Sequence, residues 1–306
     1  MYRIFYFNIN FICNNSCVFC FSHNTYKKYN YEIKSDNIHF IIDKFNINNE
    51  DRVIINGGEP TLSKDIFLIL DKLKKRNAHI IFFSNGRKLK NKEFCNRLLK
   101  LIDRIVIPIH GTEVIHEKIT RKKNSYKDTI LAIKNIKEYS ENKLELKFIV
   151  TKEMVDSNFS ILNFLKEYDI HPTVISITGM VKTKISALFI NSNLSDSELG
   201  SYISRNLQEL LRILSIPIKL FDIPICHLED KIIELIEKLP IQEEAVSDYV
   251  YYYFDEKHLD GVLVQYNNEK SESKCVNCRH KIFCRSITES CKVLEVTKYY
   301  KKIVLE

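Results

Sequence analysis

The sequence predicts an α/β fold with a parallel sheet, because short apolar runs alternate with amphipathic helical patterns through its first two-thirds. Six such repeats are too few for a closed eight-unit barrel. Glycine usage points the same way. There are only seven glycines in 306 residues, and most of them follow predicted strands, at the edge where barrel folds carry their functional loops.

The elements follow from their periodicity. Apolar runs predict strands over Ile4–Ile9, Arg52–Asn56, His79–Ser84, Arg104–His110, Leu144–Val150 and Thr173–Ile177. Apolar residues at three- and four-residue spacing predict helices over Ser35–Asn46, Ser63–Lys75, Lys92–Ile102, Ser125–Tyr139 and Asp156–Tyr168. After residue 192 the pattern changes to a helix over Asp196–Leu214, a strand over Pro217–Phe221 and a helix over Leu228–Lys238. Two further strands, Val250–Phe254 and Val262–Tyr266, flank an Asp-Gly turn and predict a β-hairpin.

Composition limits the class of protein. Hydrophobic residues make up 45% of the chain, which is enough for a core. Nine cysteines, without a targeting signal or an apolar run of membrane length, favour metal binding in a reducing cytoplasm over disulfides. The net charge of +7 is spread along the chain and gives weak support to nucleic-acid binding. We therefore expect a cytoplasmic protein that acts on neither membranes nor nucleic acid.

Three cysteines, Cys13, Cys17 and Cys20, follow the first predicted strand with C-x3-C-x2-C spacing. Three thiolates this close can hold a [4Fe–4S] cluster by three corners and leave one iron without a protein ligand. That open iron is available for chemistry. The alternative is a zinc site completed by a fourth ligand elsewhere in the chain.

This triad resembles the cysteine motif of the radical S-adenosylmethionine (SAM) superfamily, with Phe19 at the aromatic position that lies near the adenine. The resemblance implies that SAM chelates the open iron and is cleaved reductively to a 5′-deoxyadenosyl radical. This radical then takes a hydrogen atom from the substrate. The resemblance also implies a partial (β/α)6 barrel, open on one side, and an external electron donor such as flavodoxin or ferredoxin.

Motifs at later strand ends resemble SAM-contacting positions of the same family. Asn56-Gly57-Gly58-Glu59-Pro60 resembles its GGEP motif, where backbone atoms contact the SAM amino group and side chains are absent at the glycines. As isolated segments these motifs are ordinary turns. At consecutive strand ends behind the triad they indicate one site. The resemblance assigns SAM contacts to Gly57, Gly58, Glu59, Pro60, Ser84, Asn85, His110 and Gly179.

A second group of cysteines lies near the C-terminus. It resembles the auxiliary-cluster domain called twitch, a shortened relative of SPASM. The resemblance implies a second [4Fe–4S] cluster whose ligands are Cys226, Cys275, Cys278 and Cys284. Cys291 is an alternative fourth ligand, and a structural zinc knuckle is an alternative to the cluster.

The leading hypothesis is a radical SAM peptide maturase or small-molecule oxidoreductase. Its core domain is predicted over residues 1–222 and its auxiliary-cluster domain over residues 223–306. The alternatives are an RNA-modifying radical SAM enzyme and a non-catalytic zinc-binding protein. Two residues outside these motifs, Cys95 and His116, are predicted to be structural.

Overall fold

The computed structural model describes residues 3–20, 32–179, 194–221, 223, 225–238, 250–254 and 262–265. The strands are β1 (Ile4–Asn8), β2 (Arg52–Asn56), β3 (His79–Phe83), β4 (Arg104–Ile109), β5 (Leu144–Ile149), β6 (Val174–Thr178), β7 (Ile218–Phe221), β8 (Val250–Phe254) and β9 (Val262–Gln265). The helices are α1 (Ser35–Lys44), α2 (Ile66–Lys75), α3 (Lys92–Leu99), α4 (Glu113–Thr120), α5 (Ser125–Ser140), α6 (Lys152–Asp156), α7 (Ile161–Glu167), α8 (Asp196–Ile213) and α9 (Asp230–Lys238). The predicted alternation of strands and helices is confirmed.

The chain falls into two compact units. The first takes its described residues from 1–108, 116–145 and 249–265, and the second takes them from 109–115 and 146–248. In the first unit the strand order is β4-β3-β2-β1-β8-β9. Strands β1 to β4 pair in parallel, so the segments that follow β1, β2 and β3 emerge at one edge of the sheet.

Helices α1 and α2 of the first unit each bury one apolar stripe. In α1 the buried apolar residues are Ile38, Ile41 and Ile42, and in α2 they are Ile66, Ile69, Leu70 and Leu73. This is the three- and four-residue spacing that the sequence shows. Full burial of each such side chain stabilises the fold by roughly 1.5–3 kcal/mol. The core therefore holds the strand ends, and the loops that follow them, in fixed positions.

The predicted hairpin is confirmed and has a partner that the sequence did not reveal. Strands β8 and β9 pair antiparallel, and β8 also pairs in parallel with β1. Phe254 of β8 is fully buried and stacks on Phe7 of β1, with ring centroids 5.0 Å apart. It also packs edge-on against Phe45, with ring centroids 5.4 Å apart. These aromatic contacts join the hairpin to the first strand of the chain.

In the second unit the strand order is β7-β6-β5, and β6 pairs in parallel with β7. Helix α8 begins with a capping box, in which Ser195 and Glu198 bond to each other's backbone N–H groups. Its buried Tyr202 donates a hydrogen bond to Phe159 O at 2.8 Å. In this helix Gly200 lies under a backbone carbonyl, because a Cβ there would stand 2.0 Å from His227 O.

Two predicted helices differ from the structure, and one helix was not predicted. The predicted helix Asp156–Tyr168 is wrong as one element, because Asn158 has a φ of +53° and separates α6 from α7. The predicted start at Ser63 is also wrong, since a 3-10 turn over Pro60–Leu62 precedes α2. Helix α4 was not predicted. Its Val114 is 78% exposed, so the helix lacks a clear apolar stripe.

No helix in the described ranges is both long enough and apolar enough to cross a membrane. The longest, α8, has 18 residues and carries acidic residues in its first turn and a basic residue in its last.

Candidate active site

The three predicted cluster ligands lie on one loop, residues 13–20, which we call the cysteine loop. The Cys13, Cys17 and Cys20 thiols form no disulfide bond with any described residue and are half-buried. A short turn brings two of them together, because the Cys20 N–H donates to Cys17 O at 3.0 Å. The loop thus presents three sulfur donors within eight residues, and this donor set suits three corners of an iron–sulfur cluster.

Helix α4 anchors this loop on both sides of Cys17. The Ser16 N–H donates to Thr120 O at 2.9 Å, and the Val18 N–H donates to Ile119 O at 2.9 Å. Both acceptors are among the last residues of the helix, where carbonyl groups have no partner within the helix. The sequence motifs did not indicate this contact, because α4 lies about 100 residues further along the chain.

Burial makes the Cys13 and Cys17 thiols hard to ionise. It raises the pKa of Cys13 to about 12, and the negative charge of Glu59 adds to the effect. Burial, followed by the charges of Cys20 and Cys13, also raises the pKa of Cys17 above its ordinary value. Since only thiolates bind metals, cluster assembly must release protons here. Among the described residues, no three His, Cys, Asp or Glu side chains are placed to hold a single metal ion.

The predicted glycine pair, Gly57 and Gly58, packs against the segment that leads into the cysteine loop. A Cβ at Gly57, whose φ is +150°, would stand 2.6 Å from Asn10 O. A Cβ at Gly58 would stand 2.4 Å from Ile12 O. The Gly58 and Glu59 N–H groups donate to these same two carbonyl oxygens, at 2.6 Å and 2.8 Å. The lack of side chains therefore has a structural cause within the chain, in addition to the ligand contact that the sequence predicts.

The Glu59 carboxylate joins the ends of β2 and β3. It is 1% exposed and accepts hydrogen bonds from Thr61 Oγ1 at 2.6 Å, from Ser84 Oγ at 2.8 Å and from the Asn85 N–H at 2.7 Å. Burial raises its pKa, and these donors oppose the shift. Glu59 thus holds Ser84 and Asn85 in place. Direct contact of these residues with SAM stays a prediction.

Asn85 connects β3 to the cysteine loop. Its Nδ2 donates to Asn14 Oδ1 at 2.6 Å and lies 3.7 Å from Cys13 Sγ. Its backbone carbonyl accepts a hydrogen bond from Thr129 Oγ1 at 3.0 Å. The predicted site residues Cys13, Glu59 and Asn85 are therefore brought together in the first unit.

Arg87 is a site residue that the sequence motifs missed. Its Nη1 donates to Asn14 O at 2.7 Å, and its Nε donates to Asp128 Oδ2 at 3.1 Å. The other oxygen of Asp128 accepts a hydrogen bond from Lys90 Nζ at 2.8 Å. The two side chains of the Arg87–Asp128 pair are 18% and 9% exposed, so solvent screens them little. The pair fastens the cysteine loop to α5.

We expect Arg87→Ala to loosen the cysteine loop. The change removes a charged donor from Asn14 O and should cost about 1.5–3 kcal/mol of unfolding free energy. Iron should then be lost faster to a chelator than in the wild type. The matched control is Arg97→Ala, because exposed Arg97 lies 3.8 Å over the Phe67 ring and touches no part of this loop in the described structure. Equal iron loss in both variants would contradict the assignment.

The remaining predicted site residues are spread over several elements. Buried Pro60 opens the 3-10 turn after β2. In the second unit, His110 is buried at the end of β4, and the Gly179 N–H donates to Phe221 O at 2.8 Å. Cys226 is exposed in a 3-10 turn over Ile225–His227. Phe19 is half-buried on the cysteine loop. The predicted ligands outside the described residues are Cys275, Cys278, Cys284 and Cys291.

The two predicted structural residues are both buried. Cys95 is 0% exposed, and its pKa is raised to about 12 by burial. His116 is 2% exposed and packs edge-on against Tyr126, with ring centroids 5.6 Å apart. Burial lowers the pKa of His116 to about 4.

The burial of His116 should make the stability of the fold sensitive to acid. Its folded-state pKa lies below the unfolded value of about 6.5, so stability is complete above that value and falls as pH drops towards 4. The loss should reach about 3 kcal/mol. Urea unfolding across this pH range measures the free energy of unfolding. The difference in this free energy between the wild type and His116→Phe isolates the contribution of this histidine. The same replacement at exposed His171 is the control. A wild-type slope that persists in His116→Phe would contradict the prediction.

A family profile matches the segment that contains this site. The Radical SAM superfamily profile matches residues 7–155, a segment that includes the cysteine loop, the end of β1 and all of β2 to β5. Two curated relatives align with about half of the chain. One is named "Probable GTP 3′,8-cyclase", from Sulfolobus acidocaldarius, and is 27% identical over 48% of this chain and 47% of its own length. The other is the mycofactocin maturase MftC of Mycolicibacterium smegmatis, which is 23% identical over 48% of this chain and 38% of its own.

Solved structures show the same fold. A structure titled native anSMEcpe with bound AdoMet has a TM-score of 0.67 and 14% identity, over 93% of this chain and 88% of its own. Streptococcus suis SuiB bound to S-adenosylmethionine has a TM-score of 0.65 and 14% identity, over 93% of this chain and 72% of its own. Another SuiB structure contains the precursor peptide SuiA, and its TM-score is 0.59 at 16% identity, over 72% of this chain and 49% of its own. The predicted α/β fold of the partial-barrel type is confirmed.

Proposed function

Because residues 7–155 match the Radical SAM superfamily profile, we propose that this protein is an enzyme that cleaves SAM reductively and takes a hydrogen atom from a peptide substrate. The observation that carries the proposal is the placement of three half-buried thiols on one loop beside Asn85, at the carboxyl edge of the sheet. A zinc-binding role does not require the packing of Gly57 and Gly58 against this loop or the Glu59 hydrogen bonds behind it.

In the bound state, a [4Fe–4S] cluster and SAM supply one-electron cleavage of a carbon–sulfur bond. Cys13, Cys17 and Cys20 would hold three irons. Asn85 and Arg87 keep the loop in place through Asn14, and Glu59 keeps Asn85 in place. The protein contributes fixed geometry, so little reorganisation is needed when the cofactors bind.

The backbone N–H groups around Gly57 and Gly58 are already engaged within the chain, so a ligand would meet acceptors there and not donors. The N–H groups of Gly57, Gly58 and Glu59 all donate within the chain, to Asn56 Oδ1, Asn10 O and Ile12 O. A ligand at this turn therefore meets carbonyl oxygens, which accept hydrogen bonds. An ammonium group suits that surface, and the amino group of SAM is one.

A peptide is the substrate class that the relatives favour. MftC is named as a maturase, and SuiB has been solved with a precursor peptide. The name of the cyclase relative indicates a nucleotide substrate for that protein. GTP therefore serves as the negative-control substrate.

The test uses anaerobically reconstituted full chain with dithionite and SAM. We expect 5′-deoxyadenosine by chromatography and mass spectrometry. A short peptide encoded beside the gene should raise its formation and undergo a mass change, whereas GTP should do neither. Absence of 5′-deoxyadenosine in the reconstituted, reduced protein would refute the enzyme assignment. Its presence with turnover of GTP alone would refute the peptide assignment.

We also propose an auxiliary [4Fe–4S] cluster in residues 223–306, held by Cys226, Cys275, Cys278 and Cys284. The support is the ligand count, because four thiolates close a site and suit it to electron transfer or structure. Cys226 is exposed in the 3-10 turn that precedes α9.

We expect the variant with Cys13, Cys17 and Cys20 all replaced by alanine to retain roughly four irons per chain. Its absorption and electron paramagnetic resonance spectra should be unchanged by SAM. Replacing Cys275 and Cys278 in the wild type should preserve SAM cleavage and impair substrate turnover. One equivalent of zinc without iron in the alanine variant would instead establish a structural knuckle.

A further inference from the structure

An exposed basic loop lies directly behind the cysteine loop. It consists of Arg121, Lys122 and Lys123, between α4 and α5, and we call it the basic loop. All three side chains are exposed, and none forms an ion pair with any residue that the structure describes. Lys72, elsewhere in the same unit, is by contrast paired with Asp43.

The basic loop has a fixed shape. Arg121 has a φ of +53° and Asn124 has a φ of +63°, so the backbone turns sharply at both ends. The hydroxyl oxygens of Thr120 and Ser125 lie 2.6 Å apart and share a hydrogen bond across the base of the loop. The Ser125 N–H donates to Lys122 O at 3.3 Å. A partner therefore meets three cations whose backbone is already ordered.

The acidic groups near this loop do not cancel its charge. Asp128, in the first turn of α5, is buried and already bound by Arg87 and Lys90. Glu117 of α4 is half-buried, whereas the cations are exposed. Lys127 adds a fourth exposed cation in the first turn of α5. The surface at this position is therefore positive as a unit and attracts an acidic partner.

The basic loop is continuous with the cluster ligands. It begins one residue after Thr120 O, which accepts the Ser16 N–H, and two residues after Ile119 O, which accepts the Val18 N–H. These two donors flank Cys17. The basic loop is therefore connected to the residues around Cys17 through the last turn of α4 and its two hydrogen bonds to Ser16 and Val18.

From this placement we infer that the basic loop is the docking surface for an acidic one-electron carrier protein that reduces the cluster. The inference rests on the proposed function, because that function requires an electron. One electron passes from reduced carrier to oxidised cluster, and no atom is transferred. Electron-transfer complexes are small and transient, and opposite charges increase their association rate rather than their lifetime. Three exposed cations on a backbone segment that adjoins the anchor of the cysteine loop suit such an encounter.

The test compares two charge reversals in the full, anaerobically reconstituted chain. The first variant is R121E/K122E/K123E. The matched control is K75E/K100E/K134E, which makes the same change in net charge at exposed cations that also form no ion pairs with described residues. Stopped-flow absorption measures cluster reduction by the hydroquinone form of flavodoxin, an acidic carrier, at low and high salt. Dithionite reduction and dithionite-driven 5′-deoxyadenosine formation are measured in parallel.

We expect the basic-loop variant to lower the low-salt rate constant with flavodoxin by about tenfold or more, since steering changes association rates by 10 to 1,000 times. High salt should remove most of this difference. The control should lose far less, and both variants should react with dithionite as the wild type does.

Equal loss in both variants would overturn the inference, because it would show an effect of total charge alone. An unchanged rate with flavodoxin in the basic-loop variant would overturn the inference too. If that variant also failed to retain total RNA on a filter that the wild type retains, the loop would be assigned to nucleic acid. Failure of the proposed function looks different, since dithionite would then yield no 5′-deoxyadenosine from the wild type.

Discussion

Replacing Cys13, Cys17 and Cys20 together with alanine should reduce 5′-deoxyadenosine formation to the level of a protein-free reaction. The three thiols are the only cysteine sulfurs on the cysteine loop, and without them the cluster has no ligands there. The effect should be complete, since SAM is not cleaved by any remaining group on this loop. Chromatography of anaerobic, dithionite-reduced reactions measures it directly.

Cys95→Ala is the matched control. Its thiol is 0% exposed and lies in α3, away from the cysteine loop in sequence. Removal of one buried sulfur should cost about 1 kcal/mol of stability through a small cavity. SAM cleavage should stay close to the wild-type rate. Undiminished cleavage in the triple variant would remove the basis of the proposed function, whereas loss in both variants would point to general destabilisation.

The periodicity of the sequence predicted most of the fold because local patterns determine it. Strand β2 matches its prediction at both ends, and β1 and β3 each end one residue early. Helix α4 escaped prediction because it is short and exposes Val114. The boundary between α6 and α7 also escaped. It depends on a positive φ at Asn158 and on new N-caps, which apolar spacing does not report.

The candidate site was predicted where a motif marks it and missed where the contact is long-range. Cys13, Glu59 and Asn85 lie in recognisable motifs, and the structure brings them together. Arg87 lies two residues after the predicted contact Asn85, and this was the one available signal for it. Its partner Asp128 is 41 positions away and occupies an ordinary helical position in the sequence. No local pattern connects the two residues.

Gly58→Val should disrupt the cysteine loop itself. The sequence alone suggests that a side chain at Gly58 would block SAM while the cluster still assembles. The structure changes that expectation, because a Cβ here stands 2.4 Å from Ile12 O and 2.7 Å from the Phe11 carbonyl carbon. Neither backbone atom can swing aside as a flexible side chain would. The segment that delivers Cys13 must therefore move, and the Glu59 N–H to Ile12 O hydrogen bond of 2.8 Å must lengthen or break.

We expect this variant to lose about 1–3 kcal/mol of stability. We also expect it to bind the cluster held by Cys13, Cys17 and Cys20 poorly. The readout is the change in the electron paramagnetic resonance spectrum of the reduced protein on addition of SAM. Gly200→Ala is the control, since a Cβ there also meets a carbonyl oxygen, His227 O at 2.0 Å, but in the second unit. It should be destabilised too and yet keep the SAM-induced spectral change. A normal spectral change in Gly58→Val would show that the glycine pair does not set the position of the cysteine loop.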